Sequence, residues 1–437
     1  MQHHAPPAPP AFREALAFWL RLGFISFGGP AGQIAIMHTF LVDQKRWISD
    51  RKFLHALNYC MLLPGPEAQQ LATYTGWMLH GVRGGLAAGI LFVLPSAVIL
   101  WGLSALYVTY GTLATVQAVF VFLKPAVVAI VAGAIVKIGK KSLQSPVHYA
   151  VAAAAFLAIY AGNIPFPLII LAAVLLGTAL QFGVKNIQKK PKNTLPEPEA
   201  DESAYLINSH STVDGSAFST GRLLRQVLVA VVLWTVPLLL FALSATGFDF
   251  WKKLCVFFTQ AALVTFGGAY AVLPYVAQVS VEKFGWLSRL EMLDGLALGE
   301  TTPGPLIMVL AFVGFMAAYH TFGASLGAAT LGLAATVYYT FLPSFLFIFA
   351  GAPLIERTQS SQAVKGVLQY ATSAVVGVIL SLCLYLGQAV IAPDFPEIRW
   401  LPLAWTVISL AALQIYKVNL IVWIGVSVVA GLVFYAS

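Results

Sequence analysis

Long apolar runs recur from one end of this chain to the other, and they constrain its fold more than any other feature. Gly84–Val108, Thr115–Val136, Leu223–Leu243, Ala324–Ala352 and Gly366–Val390 each approach or exceed the ~20 residues that a bilayer-spanning helix needs. Composition agrees. Hydrophobic residues make up 59% of the chain and charged residues 10%, where a soluble domain carries roughly 25% charged. The chain is read as an all-α polytopic membrane protein whose main partner is the lipid bilayer.

Residues 1–11 open with MQHHAPPAPP, which reads as a short disordered tail and not as a signal peptide. Cys60, Cys255 and Cys383 lie far apart in apolar surroundings, so they read as core residues, with neither a disulfide framework nor a metal site. The formal net charge of +8 raises nucleic acid as a partner. The basic residues sit at helix ends, however, where cytoplasmic loops of membrane proteins collect them. No nucleic-acid partner is expected.

The chain carries an internal repeat. Phe27–Pro66 aligns without a gap on Phe266–Pro305. Phe27-Gly28-Gly29 falls on Phe266-Gly267-Gly268, Trp47 on Trp286, Ser49 on Ser288, and Pro64-Gly65-Pro66 on Pro303-Gly304-Pro305. After a short insertion, Leu94-Pro95-Ser96 matches Leu342-Pro343-Ser344. Chance similarity between apolar sequences matches Leu and Val, not Gly, Pro and Trp at fixed spacing. The expected organisation is a first membrane repeat over 12–183, a cytoplasmic linker over 184–222, a connecting helix over 223–249 and a second repeat over 250–437. The linker is polar enough to be disordered or nearly so.

One extra helix between two copies reverses the second copy in the membrane. Charge agrees with that inversion. Lys45, Arg46, Arg51 and Lys52 outnumber the acids in their segment, while Lys283 and Arg289 in the second half are balanced by two glutamates. Lys137, Lys140 and Lys141 end a first-half helix whose second-half partner, near Tyr385–Ala389, is uncharged. Placing the basic segments in the cytoplasm therefore inverts the halves.

Each half opens with two apolar stretches interrupted near the middle. Phe12–Phe27 and Pro30–Val42 flank Gly28-Gly29; Phe53–Leu63 and Glu67–His80 flank Pro64-Gly65-Pro66. No piece reaches ~20 residues, so these read as re-entrant or broken helices, four in all beside about nine full crossings. Non-helical backbone at that depth survives only when buried in protein or lining a wet cavity. Paired interruptions in two inverted halves mark a transporter's binding site. Pro30 and Pro66 sit where a new helix would begin, and a fresh helix start offers free N–H groups and partial positive charge. Several such starts would bind a tetrahedral dianion. The alternative is that these residues only allow close helix packing.

The candidate substrate-binding residues are therefore Gly28, Gly29, Pro30, Gly32, Gln33, Pro64, Gly65, Pro66, Gln69, Gln70, Gly267, Gly268, Tyr270, Thr301, Thr302, Pro303, Gly304 and Pro305. Ionisable residues at membrane depth are functional candidates by default. Glu67 and Glu300 beside the breaks are the candidates for coupling proton movement to anion movement. Each also has a structural reading, as a first-turn residue or a hydrogen-bonded carboxylate. Arg21 and Lys124 are candidate charge partners, with interface snorkelling and helix-end anchoring as their alternatives. His38 and His55 read as interface residues.

No nucleotide-binding loop is present: Gly133–Lys141 has the wrong glycine spacing. No cofactor is expected. The driving force is then an ion gradient or the membrane potential. A membrane-embedded enzyme is the rival class, but it lacks a nucleophile or metal constellation, and a scaffold leaves the paired breaks unexplained.

At these motifs the chain resembles the chromate transporter (CHR) superfamily in its long, two-domain form. The resemblance is carried by Phe27-Gly28-Gly29-Pro30-Ala31-Gly32-Gln33, by His55–Cys60 and by Leu63-Pro64-Gly65-Pro66-Glu67-Ala68-Gln69-Gln70-Leu71-Ala72. In the second half it is carried by Phe266–Pro274 and by Gly299-Glu300-Thr301-Thr302-Pro303-Gly304-Pro305. It implies export of chromate across the bacterial inner membrane, driven by the proton-motive force and conferring chromate resistance. Sulfate, a tetrahedral dianion of similar size, is the natural competitor, and a homodimer is one arrangement the sequence leaves open.

Overall fold

The computed structural model describes residues 7–27, 29–183, 202–208, 211, 220–244, 246–266, 268–355 and 362–436. Gly28, Gly267 and most of the linker lie outside the described residues. All regular structure among the described residues is helical. The chain starts with α1 (Phe12–Ile25), α2 (Gly29–His38), a π-turn at Thr39–Gln44 and α3 (Asp50–Cys60). It continues through α4 (Glu67–Tyr110), α5 (Ala114–Ser142), α6 (Pro146–Tyr160) and α7 (Phe166–Gly183). After α8 (Thr220–Ser244) come α9 (Phe248–Leu263), α10 (Ala269–Ala277), a second π-turn at Gln278–Lys283 and α11 (Arg289–Thr301). Then follow α12 (Val309–Thr321), α13 (Leu326–Ile355), α14 (Gln362–Ile391), α15 (Trp400–Gln414) and α16 (Leu420–Ala436).

The short segments begin and end where the sequence dictates. Ser49 caps α3, accepting from the Lys52 N–H at 3.3 Å. Ser288 caps α11 with a full capping box: its hydroxyl accepts from the Glu291 N–H at 3.1 Å, and Glu291 accepts from the Ser288 N–H at 2.7 Å. Such caps satisfy donors that a helix start otherwise leaves unpaired. Trp47 and Trp286 follow the two π-turns and fill the same place in each half. Each donates its N–H back into the turn at 2.8 Å, to Leu41 and Ser280 respectively, inside a buried aromatic cluster. Helix α4 is broken at His80 and Gly81, where φ reaches 61° at the glycine. The equivalent step in the second half, around Gly323, separates α12 from α13.

Among the described residues, five helices are long and apolar enough to cross a membrane: Glu67–Tyr110, Ala114–Ser142, Thr220–Leu243, Leu326–Gly351 and Gly366–Ile391. None of the most apolar stretch of α8 is buried in the protein, as a lipid-covered helix requires. Helices α6, α7, α15 and α16 run for 15, 18, 15 and 17 residues, about 22–27 Å at 1.5 Å per residue, short of a ~30 Å hydrocarbon core. Of the nine or so full crossings expected, five reach full length among the described residues, and α6, α7, α15 and α16 are shorter than a span. The linker also differs from expectation in one part. Leu206 and Ile207 donate to Arg46 and Trp47 at 3.1 Å, and Ser49 donates to Ile207 at 2.8 Å. Ile207 is buried there, because Tyr205-Leu206-Ile207 is apolar enough to leave water.

The two halves are exchanged through their middle helices. Helix α5 packs on α15 and α16, while α14 packs on α6 and α7. Small residues allow the approach. A Cβ added at Gly177 on α7 would lie 3.0 Å from the Val367 carbonyl and 2.8 Å from Tyr370 of α14. One added at Gly431 on α16 would strike the Ala118 carbonyl of α5. Gly177→Leu and Gly431→Leu should each lower the melting temperature of the purified protein in detergent, by the roughly 1–3 kcal/mol typical of overpacking. Wild-type melting in both would contradict this exchange.

Candidate functional site

The breaks in one half are closed by the other half. The Gly65 N–H donates to the Thr265 carbonyl at 2.8 Å, and the Gly304 N–H donates to the Ser26 carbonyl at 2.7 Å. Thr265 occupies in the second half the place that Ser26 holds in the first, so the two bonds are a reciprocal pair. Both glycines have positive φ, 120° and 98°, a region that other residues enter only with strain. A Cβ at Gly65 would also lie 2.6 Å from Ser344 Oγ, and one at Gly304 2.7 Å from Ser96 Cβ. Two glutamines hold the unwound carbonyls. Gln33 donates to Gly304 O at 2.6 Å, and Gln70 donates to Pro64 O at 2.8 Å. Both side chains are fully buried.

Beside this junction lies a cavity of about 710 Å³. The start of α2 (Gly29, Pro30) and the start of α10 (Gly268, Ala269, Tyr270) both line it, as do Glu67 at the start of α4 and Glu300 near the end of α11. A Cβ added at Gly29 or Gly268 would meet nothing within 4 Å, so the backbone there faces open space. Three helix starts thus border one cavity, which concentrates free amide donors and partial positive charge. Tyr270 donates to Glu300 Oε1 at 2.7 Å. The cavity continues along α5 to Lys137 and Lys141, which are exposed. Cations at a mouth raise the local concentration of anions.

The chromate transporter family model matches residues 13–178 and 251–432, which together cover well over half of the chain. The chain belongs to the chromate transporter family. It is 28% identical over 388 residues to a chromate transport protein of Cupriavidus metallidurans, covering 88% of this chain and 84% of that protein. It is 29% identical over 387 residues to a chromate transport protein of Pseudomonas aeruginosa, covering 88% and 83%. It is also 24% identical over 374 residues to an uncharacterized transporter of Methanocaldococcus jannaschii, covering 86% and 84%. No solved structure matches the chain. The chromate transporter family is a family of transporters and not of enzymes.

Among the sequence-derived candidates, this chromate transporter fold brings Gly29, Pro30, Glu67, Gly268, Tyr270 and Glu300 to one cavity. Gln33, Pro64, Gly65, Pro66, Gln70, Gly304 and Pro305 lie instead at the junction behind it. Thr301 and Thr302 turn their hydroxyls back to Leu298 O and Gly299 O at 2.7 and 3.0 Å, which removes them as free donors. Gln69 is fully buried and donates to Thr73 Oγ1 at 3.1 Å. A Cβ added at Gly32, one turn into α2, would lie 2.7 Å from the Phe27 carbonyl oxygen, and Pro303 is buried.

The two candidate charge partners do not reach the cavity. Arg21 is exposed on α1. Lys124 lies 3.3 Å from Asp294 Oδ1, and Tyr107 donates to Asp294 Oδ2 at 2.9 Å, a self-contained cluster. His38 pairs with Asp50 at 2.7 Å. Among the described residues no group of His, Cys, Asp or Glu is placed to hold a metal. The positive charge comes from Lys137 and Lys141, read in the sequence only as topology. A second signal was available there: both recur on the α5 face that also carries Gly133 and Ala134. Replacing both lysines with Gln should raise the chromate concentration for half-maximal flux about tenfold at low salt. The gap to wild type should narrow as salt screens the field. Equal half-maximal concentrations at low salt would remove the lysines from anion capture.

Proposed function

We propose that this chain exports chromate across the bacterial inner membrane, using two inverted repeats whose broken helices share one anion site. The observation that carries this reading is the single cavity in which the starts of α2, α4 and α10 meet Glu67 and Glu300. Its mouth carries Lys137 and Lys141, and basic helix ends face the cytoplasm. On that orientation the cavity loads from the inside, which suits export and, with it, chromate resistance. The relatives named as chromate transport proteins supply the chromium; the geometry alone supports a tetrahedral oxyanion, sulfate included.

Electrostatics sets the expected coupling. Two ionised carboxylates in the cavity would repel a dianion, so the loaded state favours neutral Glu67 and Glu300. With one of the two ionised before binding, a single proton is taken up with the dianion, and the membrane potential, negative inside, drives the remaining net charge of one outward. The decisive assay is chromate uptake into everted vesicles with an imposed potential and pH gradient, competed by sulfate. Potential-dependent uptake of unaltered chromate is expected; none above empty vesicles would end the reading. Lower pH on the loading side should speed uptake. Glu67→Gln or Glu300→Gln should flatten that pH dependence, and if both single variants keep the wild-type profile, neither residue is the coupling acid.

A further inference from the structure

A second cavity, of about 680 Å³, lies at the other end of the same helices. Helices α5 and α14 run antiparallel: Gln369 and Ser373 donate to Ser142 O at 3.4 and 3.3 Å, while Cys383 Sγ lies 3.9 Å from Val128 O. The first cavity touches α14 at Leu368–Thr372, and the second touches it at Ser381–Ile391. At 1.5 Å per residue the centres of those contacts are about 24 Å apart. Helix α10 likewise meets the first cavity at its start and the second at Pro274, with Gln278 just beyond it. Between them α14 carries fully buried Val375, Val378 and Ile379, and α10 carries fully buried Val272 and Leu273. An apolar wall divides the two cavities.

They occupy matching places in the two halves. The first uses Gly133, Ala134 and Lys137 of α5; the second uses Ser381, Leu382 and Tyr385, which hold the same positions on α14. The end of α15 (Leu413, Gln414) lines the first and the end of α6 (Ile159, Tyr160) lines the second. Where α5 offers Lys137, α14 has Tyr385, and Arg289 supplies the charge instead. Its guanidinium carbon sits 4.1 Å from the Tyr385 ring centroid. Its contact with Glu282 Oε1, which lines the same cavity, is long at 3.5 Å, and a guanidinium carries five donors.

We propose that this second cavity is the vestibule for the same tetrahedral oxyanion on the opposite membrane face, with Arg289 as the residue that contacts it there. The inference rests on the transport reading above. Of these two cavities, the one bearing Glu67 and Glu300 reaches the described helix breaks. Transport exchanges that access between the two cavities as the halves swap conformations.

The wild-type chain carries its own probe, because Cys383 lines the second cavity while Cys60 and Cys255 are fully buried. Right-side-out and everted vesicles holding the full chain are treated with a membrane-impermeant thiosulfonate. Cys383 should react from one face only, and Lys137→Cys from the other. Reaction of both from the same face, or of Cys383 from neither, overturns the proposal. Chromate flux is then measured from the Cys383 face. Arg289→Gln should raise the half-maximal concentration about tenfold with little change in limiting rate, and Arg289→Lys should recover most of the loss. An Arg289→Gln protein with wild-type half-maximal concentration in vesicles that carry chromate sinks the vestibule and leaves the transport reading intact. Wild-type vesicles that carry no chromate sink the transport reading, whatever the labelling shows.

Discussion

Two backbone hydrogen bonds, Gly65 to Thr265 and Gly304 to Ser26, hold the structure together at its most exposed physical weakness. Unwound backbone inside a bilayer has no water to satisfy it, and each unpaired group costs several kcal/mol. Each half resolves that cost with the other half's chain, donating from its Pro-Gly-Pro turn to the residue two before the partner's Gly-Gly step. Neither half has a complete interior alone. The exchange of α5 and α14 between the halves repeats the same logic on a larger scale. Because both breaks are pinned to one junction, the helix starts beside them border one cavity and not two.

The geometry is shared by the halves, but the chemistry is not. Glu67 stands where the second half has Leu306, Glu300 where the first has Met61, and Tyr270 where the first has Ala31. The carboxylates thus come from non-equivalent places yet line the same space. Lysine guards one mouth and arginine the other. On the proposed reading, equivalent backbone starts with unequal side chains hold one solute alike from both sides while charge and protons are handled differently on each.

The five spans and the four interruptions were legible because both leave a trace in residue type: unbroken apolar runs on one hand, Gly and Pro on the other. The boundary at His80 was visible for the same reason. The reciprocal hydrogen bonds were not, since backbone groups meeting across such a sequence separation impose no pattern beyond glycine. Gln33 and Gln70 read as solute donors because a buried amide in a sequence does not reveal its partner; here the partners are carbonyls of the breaks. Lys124 looked available until Asp294, on a helix of the other half, was placed beside it. Lys137 and Lys141 carry two meanings at once, and loop charge accounts for only the first. The Tyr205–Ile207 contact was hidden by the polar composition around it.

The most direct measurement is a cryo-EM map of the full chain with tungstate, an electron-dense tetrahedral dianion, added at saturating concentration. The account predicts a strong peak within hydrogen-bonding reach of the starts of both α2 and α10, beside Glu67. A peak confined to the protein surface would contradict it, as would α1–α2 and α9–α10 running as unbroken helices with no cavity between them.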